Sequence, residues 1–157
     1  IPKSRNDVLI RQGLNAELGL RYVGRDRSVV FQSVIAGLIL PPDRQNGFSK
    51  EDYFKGALNN LSFRLDSKDL SKVSFTLSGE KTFTNANIPS GAKIYQLTAS
   101  SSGDSKVAAP IKRMVGELIE INGKNADYYL LISAMDSIWG PGGKSWQDIK
   151  NSLKVDQ

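Results

Sequence analysis

The chain has 157 residues, 39% of them hydrophobic and 24% charged, with a net charge of +5 and a pI near 9.5. A chain of this length is expected to form one domain that buries about 68–70% of the surface its unfolded form exposes. Cysteine and histidine are both absent, which excludes thiol nucleophiles, disulfides, histidine-based triads and every metal site built on those two residues.

No apolar run approaches the roughly 18 residues that a spanning helix needs. The longest, Val29 to Leu40, is interrupted by Gln32, Ser33 and Gly37 and ends at Pro41-Pro42. Ile1 in place of a methionine predicts a processed or trimmed chain. The positive charge is uneven: residues 1–30 carry Lys3, Arg5, Arg11, Arg21, Arg25 and Arg27 against Asp7, Glu17 and Asp26. Guanidinium groups pair well with carboxylates and phosphates, so Arg5, Arg11, Arg21, Arg25 and Arg27 are the candidate partner-binding residues. The expected organisation is a basic N-terminal arm over residues 1–28 and a single domain over 29–157.

Within the arm, Val8, Leu9, Leu14, Leu18 and Leu20 have the makings of a short helix or of a segment packed on the body. Val29 to Leu40 is rich in β-branched residues at both parities, which predicts a central strand buried on both faces, with a kink at Gly37. Ser49 followed by Asp52 resembles a capping box, and Tyr53, Phe54, Ala57, Leu58 and Leu61 recur at helical spacing, so a helix is expected up to Asn59-Asn60. Val73 to Leu77 alternates as a strand does, and Ser78-Gly79 reads as a turn towards a partner strand over Lys81 to Thr84.

Ile88-Pro89-Ser90-Gly91 is a second turn signal, and Lys93 to Ala99 a further strand. Pro110 to Ile121 satisfies helical spacing as well as strand composition. Asn122-Gly123 favours a hairpin, and Tyr128 to Ala134 supplies its second strand, so the strand reading is taken. Gly116 would also weaken a helix there by about 1 kcal/mol relative to alanine. Ser145, with Asp148 three residues on, predicts the cap of a final helix whose stripe is Trp146, Ile149 and Leu153. The sum is an α+β fold, a mainly antiparallel sheet flanked by helices.

The constellations that carry chemistry are few. Gly140-Pro141-Gly142-Gly143-Lys144-Ser145 imitates a phosphate-binding loop, but Ile138 stands where its first glycine is required, and the segment reads as a structural loop capping the last helix. Glu117 and Glu120 fall on opposite faces of a strand and would not share a site. The hydroxyl run around Ser100, Ser101 and Ser102 has nothing to activate a nucleophile. Tyr95, Tyr128, Tyr129, Trp139 and Trp146 sit at core spacing, with Tyr129 and Trp139 the candidates for a ligand groove. The arginines cluster away from the aromatic strands, which argues against nucleic acid.

From residue 29 onward, the order of elements resembles the PsbP family, the oxygen-evolving-enhancer type of lumenal protein, and its bacterial DcrB-type lipoprotein relatives. The matching pieces are Val29–Leu40, Ser49–Asn60, Asn122-Gly123-Lys124 with Tyr128-Tyr129-Leu130, Trp146, and Asn151-Ser152-Leu153-Lys154-Val155. The family's N-terminal tyrosine-proline and tryptophan signature is missing, Leu153 replaces its usual phenylalanine, and the histidines that bind metal in some members do not exist here. The resemblance implies an α/β/α sandwich and a non-enzymatic accessory or assembly subunit, without cofactor or metal. It would dock from the thylakoid lumen on an acidic surface of a photosynthetic membrane complex, with peripheral contact to the membrane. The alternative is a lipid-anchored periplasmic protein that binds a ligand or peptide, or a chaperone.

Overall fold

A computed structural model describes residues 17–23, 29–65, 69–104, 111–136, 139 and 144–155. Six strands, β1 (Glu17–Val23), β2 (Val29–Leu40), β3 (Val73–Thr82), β4 (Lys93–Ser101), β5 (Arg113–Asn122) and β6 (Asp127–Met135), form one sheet in the order β1-β2-β6-β5-β4-β3. Every pairing is antiparallel. Two helices, α1 (Lys50–Leu58) and α2 (Lys144–Ser152), flank the sheet, giving the α+β architecture expected from the sequence.

Side chains alternate across a strand, so each parity of the sheet belongs to one helix. Val34, Ala36, Leu38 and Leu40 of β2, Leu97 and Ala99 of β4, Met114 and Leu118 of β5 and Leu131 of β6 pack with Phe54 and Leu58 of α1. The opposite parity supplies Ile94, Ile119, Ile121, Leu130 and Ile132, which pack with Trp146, Ile149 and Leu153 from α2 and its C-terminal end. This second cluster draws on β4, β5 and β6, and none of its described members comes from β2. The strand buried on both faces is therefore β5, where residues 116–119 are all buried. The expectation for Val29–Leu40 is corrected accordingly: one face is core, while Ile35 and Gly37 are half-buried and Ile39 is 61% exposed.

The α1 segment follows its sequence signals at both ends, and what they do not announce is the turn that follows it. The Asp52 N–H donates to Ser49 Oγ at 3.2 Å, the first half of a capping box. Asn59-Asn60 ends the α-helix as expected, and the chain then runs on in a wider π-type turn, Asn59–Phe63, which Arg64 closes at φ 50°. Asn59 is fully buried, and its Oδ1 accepts the Leu65 N–H at 3.2 Å. A cap that looks local in sequence is thus a core residue holding the chain's exit.

Two turn expectations are also revised. Ser78-Gly79 is no hairpin turn: β3 runs on to Thr82, with Ser78 opposite Gln96 and Lys81 opposite Ile94. The residues between form a bulge, for which Gly79 takes a left-handed φ of 62°. Asn122-Gly123 does start the β5–β6 hairpin, through a four-residue loop, residues 123–126, that the Gly123 N–H closes onto the Ala126 carbonyl. Gly116 in β5 has a steric reason: a Cβ there would lie 2.0 Å from the Ile132 carbonyl oxygen of β6.

At the C-terminus, α2 begins at Lys144, which puts Ser145 inside the first turn instead of at the cap. Gly140 to Gly143 lie outside the described residues. The other end of α2 is closed from a distance. Asn85 Nδ2 donates to the Lys150 and Asn151 carbonyls at 2.9 and 3.3 Å, and the Val155 N–H donates to the Asn87 carbonyl. The Lys150 carbonyl also accepts the Leu153 N–H at 3.4 Å, and the β3–β4 connection completes the cap of the last turn.

Candidate functional site

The described part of the presumptive arm is not an arm. Residues 17–23 are β1, the outermost strand, with Glu17 opposite Ala36 and Tyr22 opposite Phe31. Leu18, Leu20 and Tyr22 alternate with Gly19 and Arg21, a strand period that the irregular residues before it conceal. Arg21 is opposite Gln32; Arg5, Arg11, Arg25 and Arg27 lie outside the described residues. By connectivity, Arg25 and Arg27 belong to the link between β1 and β2. The β2–β6 register starts at Ser33 opposite Ala134, so Val29 to Gln32 pair with β1 and have no partner in β6 among the described residues. The β1–β2 ribbon thus extends beyond its neighbour strand.

The remaining polar groups concentrate on β5, whose two glutamates face opposite helices as their parity predicts. On the α1 side, the Lys50 ammonium donates to Glu120 Oε2 at 2.8 Å and to the Tyr95 oxygen at 3.2 Å, and lies 4.4 Å from the Tyr95 ring centre. Burial disfavours the charged lysine, but the bonds to Glu120 and Tyr95 outweigh it and hold its pKa above the ordinary value. On the α2 side, Lys150 meets Glu117 Oε2 at 3.3 Å and lies 5.5 Å from the Trp146 ring centre. In both pairs the side chains are at least three-quarters buried. A buried carboxylate needs a cation and hydrogen bonds to offset its desolvation, and each helix brings the lysine that supplies them.

Beside the first pair, Tyr129 packs on Phe48 at 5.5 Å and Phe54 at 6.3 Å between ring centres, with Tyr53 6.1 Å from Phe48. Burial, reinforced by the charges of Glu120 and Asp127, pushes the Tyr129 hydroxyl up to about 12. Burial and then Glu120 raise the Asp127 carboxyl as well. The structure does not bring the two groove candidates together: Tyr129 belongs to the α1-side core, whereas Trp139 packs with the α2-side cluster. No single groove holds both rings. What sequence reasoning missed was Lys50 and Lys150 as partners; the available signal was two acids inside an otherwise apolar strand, Met114 to Ile121, each of which demands a cation.

No helix among the described residues is long and apolar enough to cross a membrane, and no group of three or more acidic side chains there forms a metal cluster. No protein-family model matches the chain, and no curated protein does. Among solved structures, it is similar to the crystal structure of PA94, a protein of unknown function from Pseudomonas aeruginosa. The two share 12% identity at a TM-score of 0.44, over 91% of this chain and 85% of that one.

Proposed function

We propose that the chain is a non-enzymatic accessory subunit that docks on an acidic surface of a membrane protein complex through its basic N-terminal region. The observation that carries this reading is the β1–β2 ribbon, which extends past β6 with Arg21 opposite Gln32 and Arg25 and Arg27 in its connecting link. The first 28 residues hold six cations against three acids, more than half of the chain's net charge. Such a concentration favours encounter with an acidic partner and makes it salt-sensitive. The buried charges add support in another way. Lys50 and Tyr129 are both moved away from neutral pH, and general acid–base chemistry works best with groups titrating near it.

The resemblance to the PsbP family, on which this part of the proposal rests, would put the complex in the photosynthetic membrane and the chain in the thylakoid lumen, with the membrane surface as a secondary contact. The test is rebinding of the protein to salt-washed photosynthetic membranes, for wild type and for the triple variant Arg21→Glu, Arg25→Glu, Arg27→Glu. Wild type is expected to bind and the variant to lose at least about tenfold in affinity, which is 1.4 kcal/mol, with an unchanged melting temperature. Equal binding by the two would sink the docking role of the arginines, and no binding by wild type would sink the photosynthetic placement. A ligand-binding reading, periplasmic in the alternative, has one feature in its favour, the gathering of Phe48, Tyr53 and Tyr129 beside Lys50. That site contains no tryptophan, so a Tyr129→Trp reporter is the way to test it. A change in its fluorescence with apolar ligands would support the reading, and a silent reporter would remove it.

A further inference from the structure

On the α1 face the chain shows how it holds a cation of its own. The Lys50 ammonium donates to Glu120 Oε2 at 2.8 Å and lies 4.4 Å from the Tyr95 ring centre. The other two parts of that arrangement, a carboxylate and a tyrosine, recur next to it on β6. Strand parity turns Asp127 and Tyr129 to the α1 face, with Glu120 opposite Tyr129 and with Leu40 and Asn122 opposite Asp127. Among the described residues no lysine or arginine completes this second set. Asp127 is half-buried, yet its carboxylate has neither a hydrogen bond nor an ion pair there, while Lys50 is engaged by Glu120 and Lys93 by Glu80. Tyr129 is 8% exposed, and its hydroxyl makes no hydrogen bond among the described residues. That hydroxyl is not one of the unpaired polar atoms shut off from solvent, which belong to Asn59, Ser62, Ser133 and Trp146. Its oxygen is therefore where the buried ring meets solvent, within the field of Asp127 and Glu120.

We propose that Asp127, Tyr129 and Phe48 form a binding site for a small organic ammonium ion, its charged head between the Asp127 carboxylate and the Tyr129 hydroxyl and its apolar body on Phe48. The inference rests on the ligand-binding reading of this aromatic cluster, not on the docking reading, and gives the ligand its chemistry. A half-buried carboxylate stays ionised only against a desolvation cost, which a cation offsets. Burial, followed by the charge of Glu120, already works against ionisation of Asp127. An aromatic face attracts a cation, as Tyr95 does Lys50. The Phe48 ring lies 5.5 Å from that of Tyr129, and Tyr53 continues the apolar surface 6.1 Å from Phe48. A hard metal ion fits less well. One of the two carboxylates is bound to Lys50, which leaves the site far short of the roughly six to eight oxygens that calcium takes.

The probes are phenethylammonium and its neutral counterpart, phenethyl alcohol, titrated into the whole chain and read by amide chemical shifts. The ammonium is expected to bind at least about tenfold more tightly than the alcohol, a difference of 1.4 kcal/mol, with the shifts centred on Phe48 and residues 127–129. The net charge of +5 opposes any cation, so such a preference has to be local. Asp127→Asn, which breaks no hydrogen bond or ion pair among the described residues, should bring the two probes to equal affinity. Asp136→Asn takes the same charge from just beyond the other end of β6, where Asp136 pairs with Arg113, and should keep the preference. Equal binding of the two probes at these residues of the wild type would overturn the ammonium site and leave an apolar-ligand site standing; binding of neither would overturn both. Survival of the preference in Asp127→Asn, or its equal loss in Asp136→Asn, would overturn the role given to Asp127.

Discussion

The two faces of the sheet use the same device and achieve different things with it. On the α1 face a core spanning β2 to β3 buries Phe54, Leu58 and Phe63 completely, and Lys50–Glu120 sits at the helix's first residue as a rim clamp. On the α2 face the core is smaller and centred on Trp146, and Lys150–Glu117 lies in the helix's last turn. The difference teaches that apolar area holds α1, whereas α2 depends more on pinned polar contacts: Lys150 at one point and Asn85 at its C-terminal end.

The largest expected effects test the cores. Phe54→Ala should cost about 3–5 kcal/mol in urea unfolding, since it removes a fully buried ring between α1 and the sheet. Trp146→Ala should cost about 3 kcal/mol, the low end of the range. Its indole N–H has no hydrogen-bond partner among the described residues, so truncation also removes an unpaired buried donor. Its hydrogen-exchange signature should be confined to α2 and the β3–β4 connection. A Trp146→Ala variant that loosens α1 as well would show that the two faces are not separable.

Next come the clamps, compared by double-mutant cycles. Coupling between Lys50 and Glu120 should be about 1–3 kcal/mol and exceed that between Lys150 and Glu117, because its contact is shorter and Tyr95 joins it. The Lys150/Glu117 pair is the more buried. Replacing both of its members by Met and Leu should therefore be nearly neutral, whereas Glu117→Leu alone leaves a buried cation and destabilises. Equal coupling on the two faces would mean that burial, not hydrogen-bond geometry, sets the strength of each clamp.

The pH response separates the faces at smaller amplitude. Tyr129 titrates near 12 in the folded chain against an ordinary value of 10.0. The folded state then holds its proton more tightly, so this contribution is complete below pH 10 and lost as the pH rises to about 12. Lys50, also raised, acts in the same direction: its stabilisation is present below its ordinary value of 10.5 and lost above the higher folded value. Wild type should lose on the order of 1–2 kcal/mol more than Tyr129→Phe across that window, allowing for partial solvent screening. Superimposable alkaline unfolding curves would remove Tyr129 from the account.

Local signals were legible where the interaction is itself local. The Ser49 cap, the β5–β6 hairpin and the separation of Glu117 from Glu120 all follow from short-range pattern and strand parity. Ser78-Gly79 misleads because a left-handed glycine serves a bulge as well as a turn. Val29–Leu40 misleads because composition reports apolarity on both parities without saying how far the second helix reaches. The lysine clamps are invisible to any window: Lys50 finds Glu120 across 70 positions and Lys150 finds Glu117 across 33. Of the candidate interface, only the arginine excess was readable, since β1 is defined by its pairing with β2 and by little in its own composition.

The smallest effect discriminates between two motifs that look alike in sequence. Both helices carry Ser-x-x-Asp, at Ser49 and at Ser145, but only Ser49 precedes its helix, where its Oγ accepts the Asp52 N–H. Ser49→Ala should cost about 1 kcal/mol and speed amide exchange at Asp52, because one of the first-turn donors loses its acceptor. Ser145 falls within the first turn of α2, where alanine is the better helix former, so Ser145→Ala should change stability by no more than a few tenths of a kcal/mol. If the two substitutions cost the same, α2 starts at Trp146, two residues later than Lys144, and the face held by distant contacts has a local cap after all.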